Sequence, residues 1–297
     1  MEELTSHSAS RGILTTELDN LSGEDVVGFV REIESLGYDS CWIPELFGRE
    51  PMEMAGYLLA KTERINVASG IANIYVRDPH NMIQARHTLA EFSQGRFILG
   101  LGVSNAGLIQ SRGHTWQPPI AKMESYLDAI SAAEVVSPST KSQGPLYLAA
   151  HGPKMQAVAA SRADGVVTYL MSPAHTQLTK TRIGPNADIN VVCVLLAETD
   201  PTKARQTARE ALAYYLGLDY YHREWRKLGF SDRDFSDGGS DELIDMLVGW
   251  GNKESLQAHV QKHVAAGATR IIIMPLTSGE SLFSQDNPVL EALAPHA

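Results

Sequence analysis

Short apolar and β-branched runs alternate with longer stretches whose apolar positions recur every three or four residues, from one end of the chain to the other. Residues 11–16 predict a first strand. Ser22 then starts a helix with Val26, Val27, Val30, Ile33 and Leu36 on one face, and Gly37 closes it. Residues 38–43 predict the second strand, followed by a helix over 51–62 with Pro51 in the tolerated first turn. The third unit is strand 64–73 and a helix from Pro79 to about Glu91, and the run RFILGLG, residues 96–102, predicts a strand covered on both faces. The second half repeats the pattern. Helix 120–136 leads to strand 145–150, helix 153–162 to strand 164–170, and helix 173–183 to the run INVVCVLLA, residues 189–197. Long helical material over 201–227 and 240–248 precedes a last helix, 253–266, stopped by Gly267, and the eighth strand, 269–275.

Eight strand-helix units in 297 residues average about 37 residues each, which is the size of a single (β/α)₈ TIM barrel spanning 1–297. An open doubly wound sheet is the alternative, but it would not naturally use eight consecutive units. No Ser/Gly/Pro-rich linker divides the halves.

Composition narrows the function. Lys plus Arg number 25 against 35 Asp plus Glu, a formal charge of −10 that excludes a basic nucleic-acid binder. Cys41 and Cys193 each stand alone in an apolar run, so reduced buried thiols and a cytoplasmic location are expected, with no metal site. No apolar run approaches the ~18 residues of a spanning helix, and residues 1–11 lack a secretory hydrophobic stretch, so no membrane partner is expected.

In a barrel of this kind the chemistry sits at the C-terminal strand ends. Gly102, Val103, Ser104 and Asn105 follow strand four, and His151, Gly152, Pro153, Lys154 and Met155 open the helix after strand five. Small residues admit a ligand to the backbone, and a helix N-terminus offers unpaired N–H groups and a positive dipole end, so the pair could hold a phosphate; ordinary strand-to-helix turns would read the same. Strand three carries Gly70 within Ser69-Gly70-Ile71-Ala72-Asn73, which signals either a bulge beside a flat ligand or a packing glycine. Glu17 and Glu45 are carboxylates at strand ends, suited to proton transfer or to a salt bridge. The i, i+4 pair His259 and His263 reads as a solvated helix face. Tyr214, Leu218, Tyr221 and Trp225 form one helical stripe, of core, interface or pocket wall. Hydrolase elbows, zinc-protease helices and P-loops are absent from the sequence.

CWIPELFGREP (41–51), ASGIANIYVRDP (68–79), SQGRFILGLGVSN (93–105), RGHTWQPPIAKMESYLDAI (112–130), LAAHGPKMQAVAASRADG (148–165) and LDYYHREWRKLGF (218–230) together resemble the bacterial-luciferase-like superfamily, in its branch using the deazaflavin coenzyme F420. The resemblance implies a barrel whose bulged third strand, often with a non-prolyl cis peptide, backs the coenzyme ring at Gly70, Ile71, Ala72 and Asn73. It implies that the loops with Gly102 to Asn105 and His151 to Met155 hold the phosphate. The family's sugar-phosphate dehydrogenases carry an Asp-His pair after strand two and a Glu after strand four; Glu45-Leu46 and Asn105 stand there in this chain, so that activity is not transferred, and Glu45 remains as the candidate catalytic group. F420-dependent hydride transfer with a small organic substrate is therefore expected, in a homodimer. A monooxygenase using reduced FMN is the alternative enzyme, and a non-catalytic coenzyme-binding barrel the alternative of another class.

Overall fold

In the computed structural model, which describes residues 9–138, 142–277 and 287–295, eight parallel strands close into a barrel with helices outside. They are β1 (Ser10–Leu14), β2 (Ser40–Ile43), β3 (Asn66–Ser69), β4 (Phe97–Gly102), β5 (Leu146–Ala149), β6 (Gly165–Tyr169), β7 (Asp188–Leu196) and β8 (Arg270–Leu276). β8 closes the ring by pairing with both β7 and β1, Arg270 lying opposite Asn190 on one side and Ser10 on the other. The (β/α)₈ expectation holds, and the doubly wound alternative falls on that closure. Of the chain start read for a leader, residues 1–8 lie outside the described residues.

Alternation along the strands sorts side chains into two layers. Leu14, Trp42, Ala68, Ile98, Tyr147, Val167, Val192 and Ile272 fill the barrel interior. Ile13, Cys41, Val67, Leu99, Leu148, Val166, Val191, Cys193 and Ile273 face the helices. Gly12 makes the interior possible, because a Cβ there would stand 2.8 Å from Nε1 of Trp42, which is fully buried and stacks on Tyr147 at 6.3 Å.

The third strand breaks at Gly70, which is the bulge of the two readings that this glycine left open. Ala68 pairs with Ile98, but pairing resumes only at Ala72 opposite Leu101, four residues on one strand against three on its partner, across a cis Gly70–Ile71 peptide. The Ser69 hydroxyl donates to Gly100 O at 2.9 Å and accepts from Gly100 N–H at 3.0 Å, so the buried backbone at the bulge stays hydrogen-bonded. The glycines of FILGLG fit this close approach: a Cβ on Gly100 would lie 2.3 Å from Ser69 O, and one on Gly102 would lie 2.2 Å from Ile71 Cδ1.

Three expectations are corrected. The helical material over 201–227 is two helices, Pro201–Leu216 and Asp219–Arg226, broken at Gly217 and Leu218. Val248 does not end a helix; Val248–Trp250 is a short strand added along β7, a β-branched residue and an aromatic taking the available edge. His259 and His263 do not face solvent, since the helix Lys253–Ala265 turns them toward Cys193 on β7, and His263 is only 1% exposed.

Candidate active site

The C-terminal strand ends open into one cavity of about 1050 Å³. Its floor and one wall come from the bulge and from the loops after β4 and β5: Gly70, Ile71, Gly102, Val103, Ser104, Asn105 and His151 to Met155 all line it, as does Glu45. Ala72 and Asn73 do not line it. They are buried, paired with Leu101 and Gly102 behind the floor, because the extra residue of the bulge is spent before them.

The helix Pro153–Arg162 begins at Gly152 with no side-chain cap, whereas Ser22, Asp78, Ser172 and Asn252 each cap their own helices. Its first-turn N–H groups are thus left for an acceptor in the cavity. A Cβ at Gly152 would meet only Glu224 Oε1, at 3.4 Å, so the space before this helix end is open to the cavity. Glu224 is itself paired with Lys227 at 2.6 Å, which offsets its charge. Buried groups fix the loop. Gln156 Nε2–H donates to His151 O at 3.1 Å and to Thr179 Oγ1 at 2.9 Å, and His175 Nε2–H donates to the same His151 carbonyl at 2.8 Å. On the facing side Ser104 holds a left-handed φ of 61°, and Asn105 caps the helix Ala106–Ser111 while its amide donates to the Tyr214 hydroxyl at 3.0 Å.

Glu45 is committed to its neighbours. Both carboxylate oxygens receive Arg77 Nη1–H, at 2.9 and 2.8 Å, and Oε2 also accepts from Asn73 N–H at 2.7 Å. The side chains of Glu45 and Arg77 are 7% and 9% exposed, and Arg77 reaches Glu50 as well. Ties of this kind lock the segment after the bulge to the end of β2. Glu17, the other strand-end carboxylate, lies outside the cavity lining in a short 3₁₀ turn, Glu17–Asn20.

His151 Nε2 accepts from Tyr169 N–H at 3.2 Å, and burial pushes the imidazole pKa down to about 3. The ring is neutral at pH 7, with Nδ1 carrying the proton. Because the unfolded chain takes up a proton near pH 6.5 and the native ring does not until about pH 3, stability is full above pH 6.5 and falls as pH drops through that window. The loss attributable to His151 is expected to reach about 2 kcal/mol at pH 5, read as a shallower acid limb of urea unfolding in His151→Gln.

The opposite wall is aromatic. Tyr214, Tyr215, Leu218, Tyr220 and Tyr221 line the cavity with Tyr169 and Met274. Tyr169 meets Tyr215 edge-on at 5.1 Å, and Tyr221 stacks on fully buried Trp225 at 5.3 Å, whose Nε1–H donates to Leu170 O at 2.9 Å. Burial raises the phenols of Tyr215, Tyr220 and Tyr221, Tyr220 to about 12, so these three stay protonated in an apolar wall. The spacing of Tyr214, Leu218 and Tyr221 pointed here, while Tyr215 and Tyr220 reach the wall because the break at Gly217 reorients the chain between the two helices. The signal for that break was Gly217 itself, read as helix interior.

The uncapped helix end, the bulged strand and the aromatic wall meet at one barrel mouth. The chain belongs to the luciferase-like monooxygenase family, matched over residues 5–270. It is 25% identical to a 5,10-methylenetetrahydromethanopterin reductase of Archaeoglobus fulgidus over 82% of this chain and 87% of that one. Its fold superposes on the coenzyme F420 dependent tetrahydromethanopterin reductase of Methanopyrus kandleri with a TM-score of 0.73 at 16% identity, covering 97% and 98% of the two chains. It also superposes on the oxygenating constituent of a Pseudomonas putida type II Baeyer–Villiger monooxygenase in complex with FMN, with a TM-score of 0.65 at 14% identity over 97% and 98%.

Proposed function

We propose that this protein is an oxidoreductase that transfers hydride between coenzyme F420 and a small organic substrate. The observation that carries the reading is the uncapped helix end at Gly152 facing the bulge at Gly70 and Ile71 across one cavity, in a chain whose relatives include F420-dependent reductases. The residues fit the coenzyme: open backbone at Gly152, Lys154 and Met155 suits its phosphate, and the floor at Gly70, Ile71 and Gly102 suits a flat ring. When bound, the coenzyme supplies the two-electron hydride chemistry. The chain's own part is to orient the ring against Ile71, to bind the anion through backbone donors with Ser104 opposite, and to exclude water with the tyrosine wall. Glu45 acts by position, holding the segment behind the bulge through Arg77 and Asn73, rather than by giving up a proton.

The single barrel domain, a homodimeric assembly and a cytoplasmic location complete the reading. Reduced, buried Cys41 and Cys193 support the last, and among the described residues no helix is long and apolar enough to cross a membrane. Light scattering that returned a 32.4 kDa species at micromolar concentration would contradict the dimer.

Equilibrium titration of the purified protein with F420 and with FMN tests the coenzyme. F420 is expected to bind, and FMN to bind weakly; tight FMN binding without F420 affinity moves the assignment to the monooxygenase type. Turnover dependent on added reduced coenzyme is expected, and binding without turnover across a broad substrate panel would make the barrel a carrier.

A further inference from the structure

Away from the barrel mouth, three side chains with metal-ligand chemistry meet in the layer between strands and helices. Cys193 points outward from β7, and His259 and His263 stand one turn apart on the helix Lys253–Ala265 that packs over it. One ligand atom from each lies within 4.8 Å of the other two. Cys193 and His263 are 3% and 1% exposed.

The surroundings orient the donors. His263 Nδ1 lies 3.0 Å from Thr176 Oγ1, so Thr176 occupies that nitrogen and Nε2 is the one left for a ligand. A ligating imidazole is held in a similar way, its second nitrogen engaged by a neighbouring polar group. Gly249, on the strand added along β7, leaves the room for the other ring: a Cβ there would sit 2.5 Å from His259 Cγ. Among the described residues no hydrogen bond engages the His259 ring.

We propose that Cys193, His259 and His263 form a binding site for a thiophilic metal ion, zinc in the first instance, on the outer face of β7. Zinc takes sulfur at about 2.3 Å and imidazole nitrogen at about 2.0 Å, which brings ligand atoms to roughly 3–4 Å from one another, so the cluster closes by about 1 Å on loading. Thiolate and imidazole together exclude magnesium and calcium, which want oxygen. Binding forms one metal–sulfur and two metal–nitrogen bonds and releases the Cys193 thiol proton, with no change of oxidation state.

The test is titration of chelator-stripped, reduced protein with Co²⁺ as the spectroscopic probe, followed by Zn²⁺. One Co²⁺ per chain is expected, with sulfur-to-cobalt charge-transfer absorption, one proton released per ion, and displacement by Zn²⁺. His259→Gln is expected to weaken binding on the order of 100-fold, and Cys193→Ser to abolish the charge-transfer band. His259 is only partly buried, so its variant decides the matter if Cys193→Ser fails to fold. No uptake by the unaltered protein at excess ion, or the same affinity and spectrum in His259→Gln, overturns the proposal.

Discussion

Gly152→Val is expected to weaken coenzyme binding on the order of 100-fold while leaving the melting temperature within a few degrees of the parent. The backbone at Gly152, φ −85° and ψ 155°, suits valine, and the protein offers its Cβ only the Glu224 carboxylate at 3.4 Å, so the fold has little objection. The branched side chain would instead occupy the space in front of the first-turn N–H groups. Hydrogen bonds to a charged group contribute about 1.5–3 kcal/mol each, and losing one or two of them corresponds to that change in affinity. Lys154→Ala removes one exposed charge and is expected to cost about 1 kcal/mol or less, under tenfold. The order of the two effects in a calorimetric titration is the check. If Lys154→Ala abolished binding and Gly152→Val spared it, the anion would have to sit elsewhere on the barrel mouth.

Gly100→Ala is expected to destabilise the barrel by more than about 3 kcal/mol, enough to unfold a large fraction of the protein on mild heating. The added methyl would lie 2.3 Å from Ser69 O, and that oxygen is backbone in the bulged strand, which cannot swing away as a side chain can. Moving it would also break the two hydrogen bonds that Ser69 makes with Gly100. Gly102→Ala is the internal control, because its methyl meets the flexible tip of Ile71 at 2.2 Å. Its cost should stay below about 2 kcal/mol and should appear instead in coenzyme affinity, since Ile71 backs the ring. Urea unfolding of the pair separates them, and equal stability loss would mean that the bulge is not rigid.

Much of this was legible from local signals. Gly70 inside a β run marked the place of the bulge while leaving a packing glycine open, Pro153 after Gly152 announced the helix start, and the unbroken apolar run over β4 announced a strand buried on both faces. What stayed hidden depended on partners distant in the chain. Glu45 carried no sign of Arg77, 32 residues on, which turns it from a free strand-end acid into a tied one. The His259 and His263 pair looked solvated because nothing on their own helix says which face β7 will cover. The break at Gly217 could not be told from a tolerated helix glycine without seeing Tyr214 and Tyr221 converge on one cavity.

The tyrosine wall has a core of its own. Ala204, Ala208, Leu212, Tyr221, Trp225, Leu243 and Ile244 pack together as a cluster separate from the one around the barrel strands, and all come from the segment between β7 and β8. The floor and the wall opposite the tyrosines come from the loops after β3, β4 and β5. On the proposed function, the walls for coenzyme and for substrate are written in different stretches of the gene. Exchange of the stretch from about Ala197 to Trp250 between relatives offers natural selection, or a protein engineer, a way to change what is reduced without rebuilding what does the reducing.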